Sequence, residues 1–200
     1  MNIAEKYIRG LQKAYCDNGQ KDEWEHFASL VNGVCEADLA QLRILYPNIP
    51  KSLVELLKFV DGTYHKEYKG EKIVFYFLGS DVEEYPYYLL SAKEMIENKN
   101  EAFEYYADYI DRMFDDDVKV DAKIIDNSKQ MNWLHFSDCM NNGGTSQLFI
   151  DFSPSESGVN GQIIRFLHDP DEIKVIASKF DEYLQMLFDS AYDFICDDEV

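Results

Sequence analysis

Four histidines, four cysteines and 38 carboxylates are the side chains in this 200-residue sequence from which a reactive site would be assembled. His26, His65, His135 and His168 form no HExxH pair, and none pairs with a cysteine at a ligand-like spacing, so no metal is expected. Cys16, Cys35, Cys139 and Cys196 lie far apart without a CxxC, which reads as free thiols and not as a disulfide framework. The GxGxxG, GxxxxGK[ST] and GxSxG motifs are absent, and Asn142-Gly143-Gly144-Thr145 reads as a turn before a strand. Asp151, Ser153, Ser155 and Ser157 alternate as calcium ligands would. Glu156, however, stands where such a loop needs glycine, and Gln162 where it needs a bidentate glutamate. Asp151, Glu156 and Glu83 are acids that spacing alone cannot bring to a catalytic separation. The expectation is a chain with no catalytic residue and no cofactor.

Recognition is the chemistry the residues favour. Asp81–Tyr88 (DVEEYPYY) interleaves acids with tyrosines, and the helix expected after it carries Glu101, Glu104, Asp108 and Asp111 beside Tyr105, Tyr106 and Tyr109. Tyrosine buries a large ring at low entropic cost while its hydroxyl keeps a partner, which suits binding surfaces. At 3.6 residues per turn Phe103, Tyr106 and Ile110 are expected to face the core, leaving Tyr105 and Tyr109 at the surface. Asp115-Asp116-Asp117 is either a solvated turn or the tip of an acidic docking site. The candidate contact residues are therefore Asp81, Glu83, Glu84, Tyr85, Tyr87, Tyr105, Tyr109, Asp115, Asp116 and Asp117.

Net charge supports that choice. The chain carries −19, and two stretches hold most of it: residues 81–121 have 13 acids against 4 bases, and residues 169–200 have 10 against 2. A field of this sign repels nucleic acid and anionic membranes and attracts basic partners. No apolar run reaches the roughly 18 residues a membrane span requires, and residues 1–10 (MNIAEKYIRG) carry charges where a signal peptide needs an apolar stretch. A cytoplasmic protein is expected.

The elements that must position these residues fall into runs of one type. Helices are expected over Ile3–Tyr15, around Trp24–Val31, over Glu36–Tyr46 up to Pro47, and from Pro50 to the stop at Asp61-Gly62. Strands follow at Lys72–Leu78 and Tyr87–Leu90. Ser91 and Glu94 form a capping box that opens a helix running to about Arg112. Further strands are expected at Lys123–Asp126, Trp133–Ser137, Gln147–Phe152 and Gln162–Leu167, before a closing amphipathic helix over Asp181–Ile195. Helices, then strands with one helical interruption, then a helix indicate an α+β fold with a largely antiparallel sheet. With 46% hydrophobic residues the chain can bury one substantial core, and a single domain over residues 1–200 is expected.

An ordered set of short features resembles the SMI1/KNR4 (SUKH) superfamily. These are Pro47, Pro50, Asp61-Gly62, Asp151 with Pro154, Gly158, Gly161-Gln162, and Phe180 with Leu184. The resemblance covers about residues 30–187, with an N-terminal helical extension and an acidic tail outside it. It implies a SUKH-like mixed sheet with helices packed around it and no catalytic residues. It further implies a bacterial immunity protein that binds a cognate polymorphic toxin, often a nuclease; the acidic, tyrosine-bearing surface read above suits a basic toxin domain. The alternative is an adaptor or regulator of cell-wall or envelope synthesis acting through protein contacts. In this frame residues 141–166 form the centre of the sheet, Asp151 accepts backbone donors in its own loop, and Asn160-Gly161 supplies the tight return.

Overall fold

Caps and periodicity define the helical first third of the chain in the computed structural model, which describes residues 2–83, 85–114, 117–139 and 146–195. Asn2 caps α1 (Ile3–Asp17), its Oδ1 accepting from the Glu5 N–H at 2.8 Å, and Tyr7, Leu11 and Tyr15 bury one stripe. Helices α2 (Lys21–Leu30), α3 (Glu36–Leu45) and α4 (Lys51–Phe59) follow, with Pro50 immediately before α4. Gly62, at φ +94°, lies beyond its end. Although α1 precedes the family-like segment, it is part of the main core. The Tyr7 and Tyr15 hydroxyls donate to the Phe77 and Tyr76 carbonyls at 2.8 Å, and Tyr192 donates back to the Tyr7 carbonyl at 2.9 Å.

Among the described residues eight strands follow: β1 (Tyr64–Tyr68), β2 (Glu71–Val74), β3 (Tyr87–Leu89), β4 (Lys119–Val120), β5 (Trp133–Cys139), β6 (Ser146–Asp151), β7 (Gln162–Leu167) and β8 (Glu172–Ala177). β1 and β2 form a separate hairpin, and the other six form one sheet in the order β3-β5-β6-β7-β8-β4. Among the described residues only the β4–β8 pair is parallel, so the sheet is mixed and largely antiparallel, and the fold is α+β.

Three expected elements differ, the first being Lys72–Leu78, where strand β2 ends at Val74. Lys123–Asp126 is a turn, because the Asp121 carboxylate accepts from the Lys123 N–H at 2.9 Å and its carbonyl accepts from the Ile124 N–H at 3.0 Å. Strands β1, β4 and β8 were not anticipated. The closing helix α7 (Phe180–Asp189) stops before Ala191 and Tyr192, whose φ values of 57° and 60° lie outside the helical region.

A fourth difference positions the candidate surface. The Ser91–Glu94 capping box forms as expected, but α5 (Ala92–Glu97) ends at Asn98 and α6 (Glu101–Ile110) starts afresh. Asparagine prefers caps to helix interiors because its amide competes for the backbone, and the Asn98 amide contacts His135 Nδ1 at 3.2 Å. The break lets the two helices serve opposite faces of the sheet. Ala92 and Met95 of α5 join the larger core with α1, α4 and α7. Ala102, Tyr106 and Ile110 of α6 pack with Phe149, Ile164, Phe166 and Ile173 on the other face.

Both faces of the central strands are therefore buried, with Leu148 and Ile150 on one side and Phe149 on the other. Asp151 has the role expected of it: fully buried, it accepts from the Ser153 N–H at 2.7 Å and from Gln162 Nε2 at 2.9 Å. Gly161 makes the return at φ +87°. Gly143 and Gly144 lie outside the described residues.

Candidate partner-binding surface

Alternation along β7 splits the sequence-derived residues into two groups. Arg165 points to the face covered by α1 and α7, and Phe166 to the face covered by α6. On the first face the Asp81 carboxylate lies 2.5 Å from Arg165 Nε and 2.7 Å from Lys174 Nζ, while Glu172 takes Arg165 Nη2 at 2.7 Å. Burial alone would raise the Asp81 carboxyl, but its bonds to Arg165 and Lys174 outweigh this and hold it below the ordinary value. Asp81, although the residue is exposed, is thus neutralised by Arg165 and Lys174 of its own chain, contrary to its expected role as a free contact residue.

Tyr87 is a second correction. It is 0% exposed in β3, its hydroxyl lies 2.6 Å from Ser146 Oγ, and burial pushes its pKa up to about 12. The run of tyrosines masked the strand alternation that sends this one inward. Tyr85 is half-buried against the main core and Glu83 is exposed. Glu84, Asp115 and Asp116 lie outside the described residues.

On the opposite face α6 brings Tyr105 and Tyr109 together with new partners. The inward stripe is Ala102, Tyr106 and Ile110, so Phe103, expected in the core, is instead 48% exposed. Tyr105 is 69% exposed one turn from Tyr109. The Tyr109 hydroxyl donates to Asp171 Oδ2 at 2.7 Å, and His168 Nδ1 lies 2.6 Å from Asp171 Oδ1. Asp171 is held below its ordinary value: burial opposes the shift, and the contacts with Tyr109 and His168 outweigh it.

The Tyr109–Asp171 bond divides a groove into two clefts. One, of about 420 Å³, has walls of Phe114, Val118 and Pro170 with Asp117 and Asp169 at its rim. The other, of about 400 Å³, is lined by Glu101, Tyr105, Tyr106, Gln147 and Phe166. Of the anticipated residues, Tyr105, Tyr109 and Asp117 converge here. Gln147 and the turn His168–Asp171 were not among the expected contact residues, and Glu101, noted beside the helix tyrosines, was not chosen as one. The Asp169-Pro170 turn signal was present in the sequence, but without β8 as the strand beyond it nothing marked a hairpin facing α6.

His135 fixes the N-terminal end of α6. Its ring is 1% exposed, with Nε2 2.7 Å from Asp138 Oδ1 and Nδ1 3.6 Å from Glu101 Oε2. Burial alone would lower its pKa, but the two carboxylates more than reverse this and raise it to about 9. The His135 contact, aided by Gln147, holds the Glu101 carboxyl below the ordinary range. The Gln147 amide donates to Glu101 Oε1 at 3.0 Å and the Tyr106 hydroxyl donates to Gln147 Oε1, so the floor of the second cleft is fixed by hydrogen bonds.

Charge distinguishes the two faces. Among the described residues, no Lys or Arg forms an ion pair with Glu101, Glu104, Asp108, Asp117, Asp169 or Asp171, whereas Asp81 has two such partners. The hydrogen bond to Asp171 raises the Tyr109 pKa and so keeps that hydroxyl protonated. Among the described residues no group of three His, Cys, Asp or Glu side chains is arranged to hold a metal ion, and no helix is long and apolar enough to cross a membrane. The arrangement offers flat rings, fixed acceptors and carboxylates without Lys or Arg partners among the described residues, Glu101 and Asp171 being met instead by His135 and His168.

No curated protein matches the chain. A family model described as SMI1 / KNR4 family (SUKH-1) matches residues 36–186, which spans α3 through most of α7 and includes every residue of the groove. With three quarters of its length in that match, and with the helix-flanked mixed sheet described above, the chain belongs to the SMI1/KNR4 (SUKH-1) family.

Proposed function

We propose that this protein is a non-catalytic immunity protein of the SUKH-1 family, which neutralises a basic, nuclease-type toxin domain by covering the surface the toxin uses for its polyanionic substrate. The observation that carries the reading is the asymmetry of charge: acids along α6 and the β7–β8 turn lack Lys or Arg partners among the described residues and lie beside the exposed ring of Tyr105. A surface of this kind pre-orients a cationic partner at long range and supplies aromatic anchors on contact. Glu83 and Tyr85, on the other side of the sheet, form at most the edge of such a contact.

The test is reconstitution with the toxin domain encoded beside this gene. A stoichiometric complex that abolishes nuclease activity, with an association rate falling at least tenfold between low and physiological salt, is the expected result. A complex that forms at a salt-independent rate removes the electrostatic part of the reading. Failure to protect against any neighbouring toxin overturns it.

A further inference from the structure

We infer that the α6 groove reads arginine side chains, one guanidinium in each cleft, and that the partner presents them on one segment; this rests on the partner-binding reading above. Each cleft combines an aromatic wall with carboxylate acceptors. In the second, Tyr105 and Tyr109 offer ring faces, and Glu101 and Asp171 offer oxygens that each already accept one bond and retain a further lone pair. In the first, Phe114, 44% exposed and edge-on to Tyr109 at 5.9 Å, faces a rim carrying Asp117 and Asp169.

A guanidinium suits this setting better than an ammonium. It is planar, stacks on rings, is weakly hydrated, and spreads its donors over a fork that can reach two acceptors at once. An ammonium is a strongly hydrated point charge and gives up more water on entering a cleft walled by Phe114, Val118 and Pro170. An uncharged apolar segment is disfavoured because it would leave the rim carboxylates facing it without counter-charge. The acceptors are also held in place: Asp171 by Tyr109 and His168, Glu101 by Gln147 and His135. An arriving side chain therefore meets a formed site and need not order one.

The probe is the tetrapeptide acetyl-Arg-Gly-Arg-Gly-amide, titrated into the isotope-labelled full chain at physiological salt and followed by NMR. Lysine and citrulline versions serve as controls. Shifts concentrated at Tyr105, Tyr109, Phe114 and residues 168–171 are expected, with the lysine peptide about threefold weaker and the citrulline peptide inert. Tyr105→Ala and Asp117→Asn, both at exposed positions that leave the fold intact, each weaken binding by about threefold. Equal binding of the arginine and lysine peptides, or shifts spread evenly over the acidic surface and unchanged by Tyr105→Ala, overturns the inference. The two readings fail separately. Arginine binding without toxin inhibition removes the immunity role alone, and toxin inhibition untouched by both substitutions removes the arginine groove alone.

Discussion

Raising the pH from 6 to 9.5 should cost this protein about 3 kcal/mol of stability through His135 alone. The imidazole titrates near 6.5 in the unfolded chain and at about 9 in the fold. Below 6.5 both states carry the proton and the contribution is complete. Between 6.5 and 9 only the folded state keeps it, so stability falls by about 1.4 kcal/mol per pH unit, and above 9 the contribution is gone. The side chain is 1% exposed, so solvent screening removes little of this. Urea unfolding at closely spaced pH values measures it, with the midpoint converted through a constant m-value. His135→Gln keeps hydrogen bonds available to Glu101 and Asp138 while removing the titration. The difference between wild type and variant also cancels the thiols and tyrosines that ionise in the unfolded chain nearby. A wild-type midpoint that stays flat from pH 6 to 9.5, or one whose fall is shared by His135→Gln, refutes the buried imidazolium.

Two substitutions test packing and pairing elsewhere. A β-carbon at Gly10 would lie 2.1 Å from Tyr192 Oη and 2.9 Å from its Cζ, so Gly10→Ala should lower stability by about 1–2 kcal/mol in urea melts, even though alanine is the better helix former by about 1 kcal/mol. A stabilised variant would show that the Tyr192 ring can move. Asp81→Asn leaves Arg165, 2% exposed, with Glu172 as its remaining carboxylate, and should cost about 2 kcal/mol in the same assay while leaving partner affinity within twofold by calorimetry. A large affinity loss in a folded Asp81→Asn protein would return Asp81 to the binding surface.

Much of the fold was legible because it rests on local signals. The Ser91–Glu94 box, the apolar stripe of α1, the prolines around α4 and the apolar strands β5, β6 and β7 each act over a few residues. What was missed depends on partners distant in sequence. β8 carries Glu172 and Lys174, which look solvated in isolation; in the fold they meet Arg165 and Asp81 across strand and loop. Tyr87 and Tyr88 are alike in sequence, but β-strand alternation puts them on opposite faces, where Ser146 receives one and the Tyr64 ring the other.

The site was half legible for a related reason. Composition located the acids but could not say which ones the fold would neutralise, and that decision is made by a strand's alternation and a helix's interruption. Arg165 lies one residue from Phe166, so the sheet directs its buried guanidinium to one face, while the other holds rings and the His135 imidazole. The stop at Asn98 then carries Glu101, Tyr105 and Tyr109 onto the face without that cation, where His135 secures the start of α6 through Glu101. Had α5 continued unbroken through Asn100, its apolar stripe would have had to serve both faces of the sheet at once. The three-residue gap thus gives α6 its own core face and turns its acidic, tyrosine-bearing flank toward the β7–β8 turn.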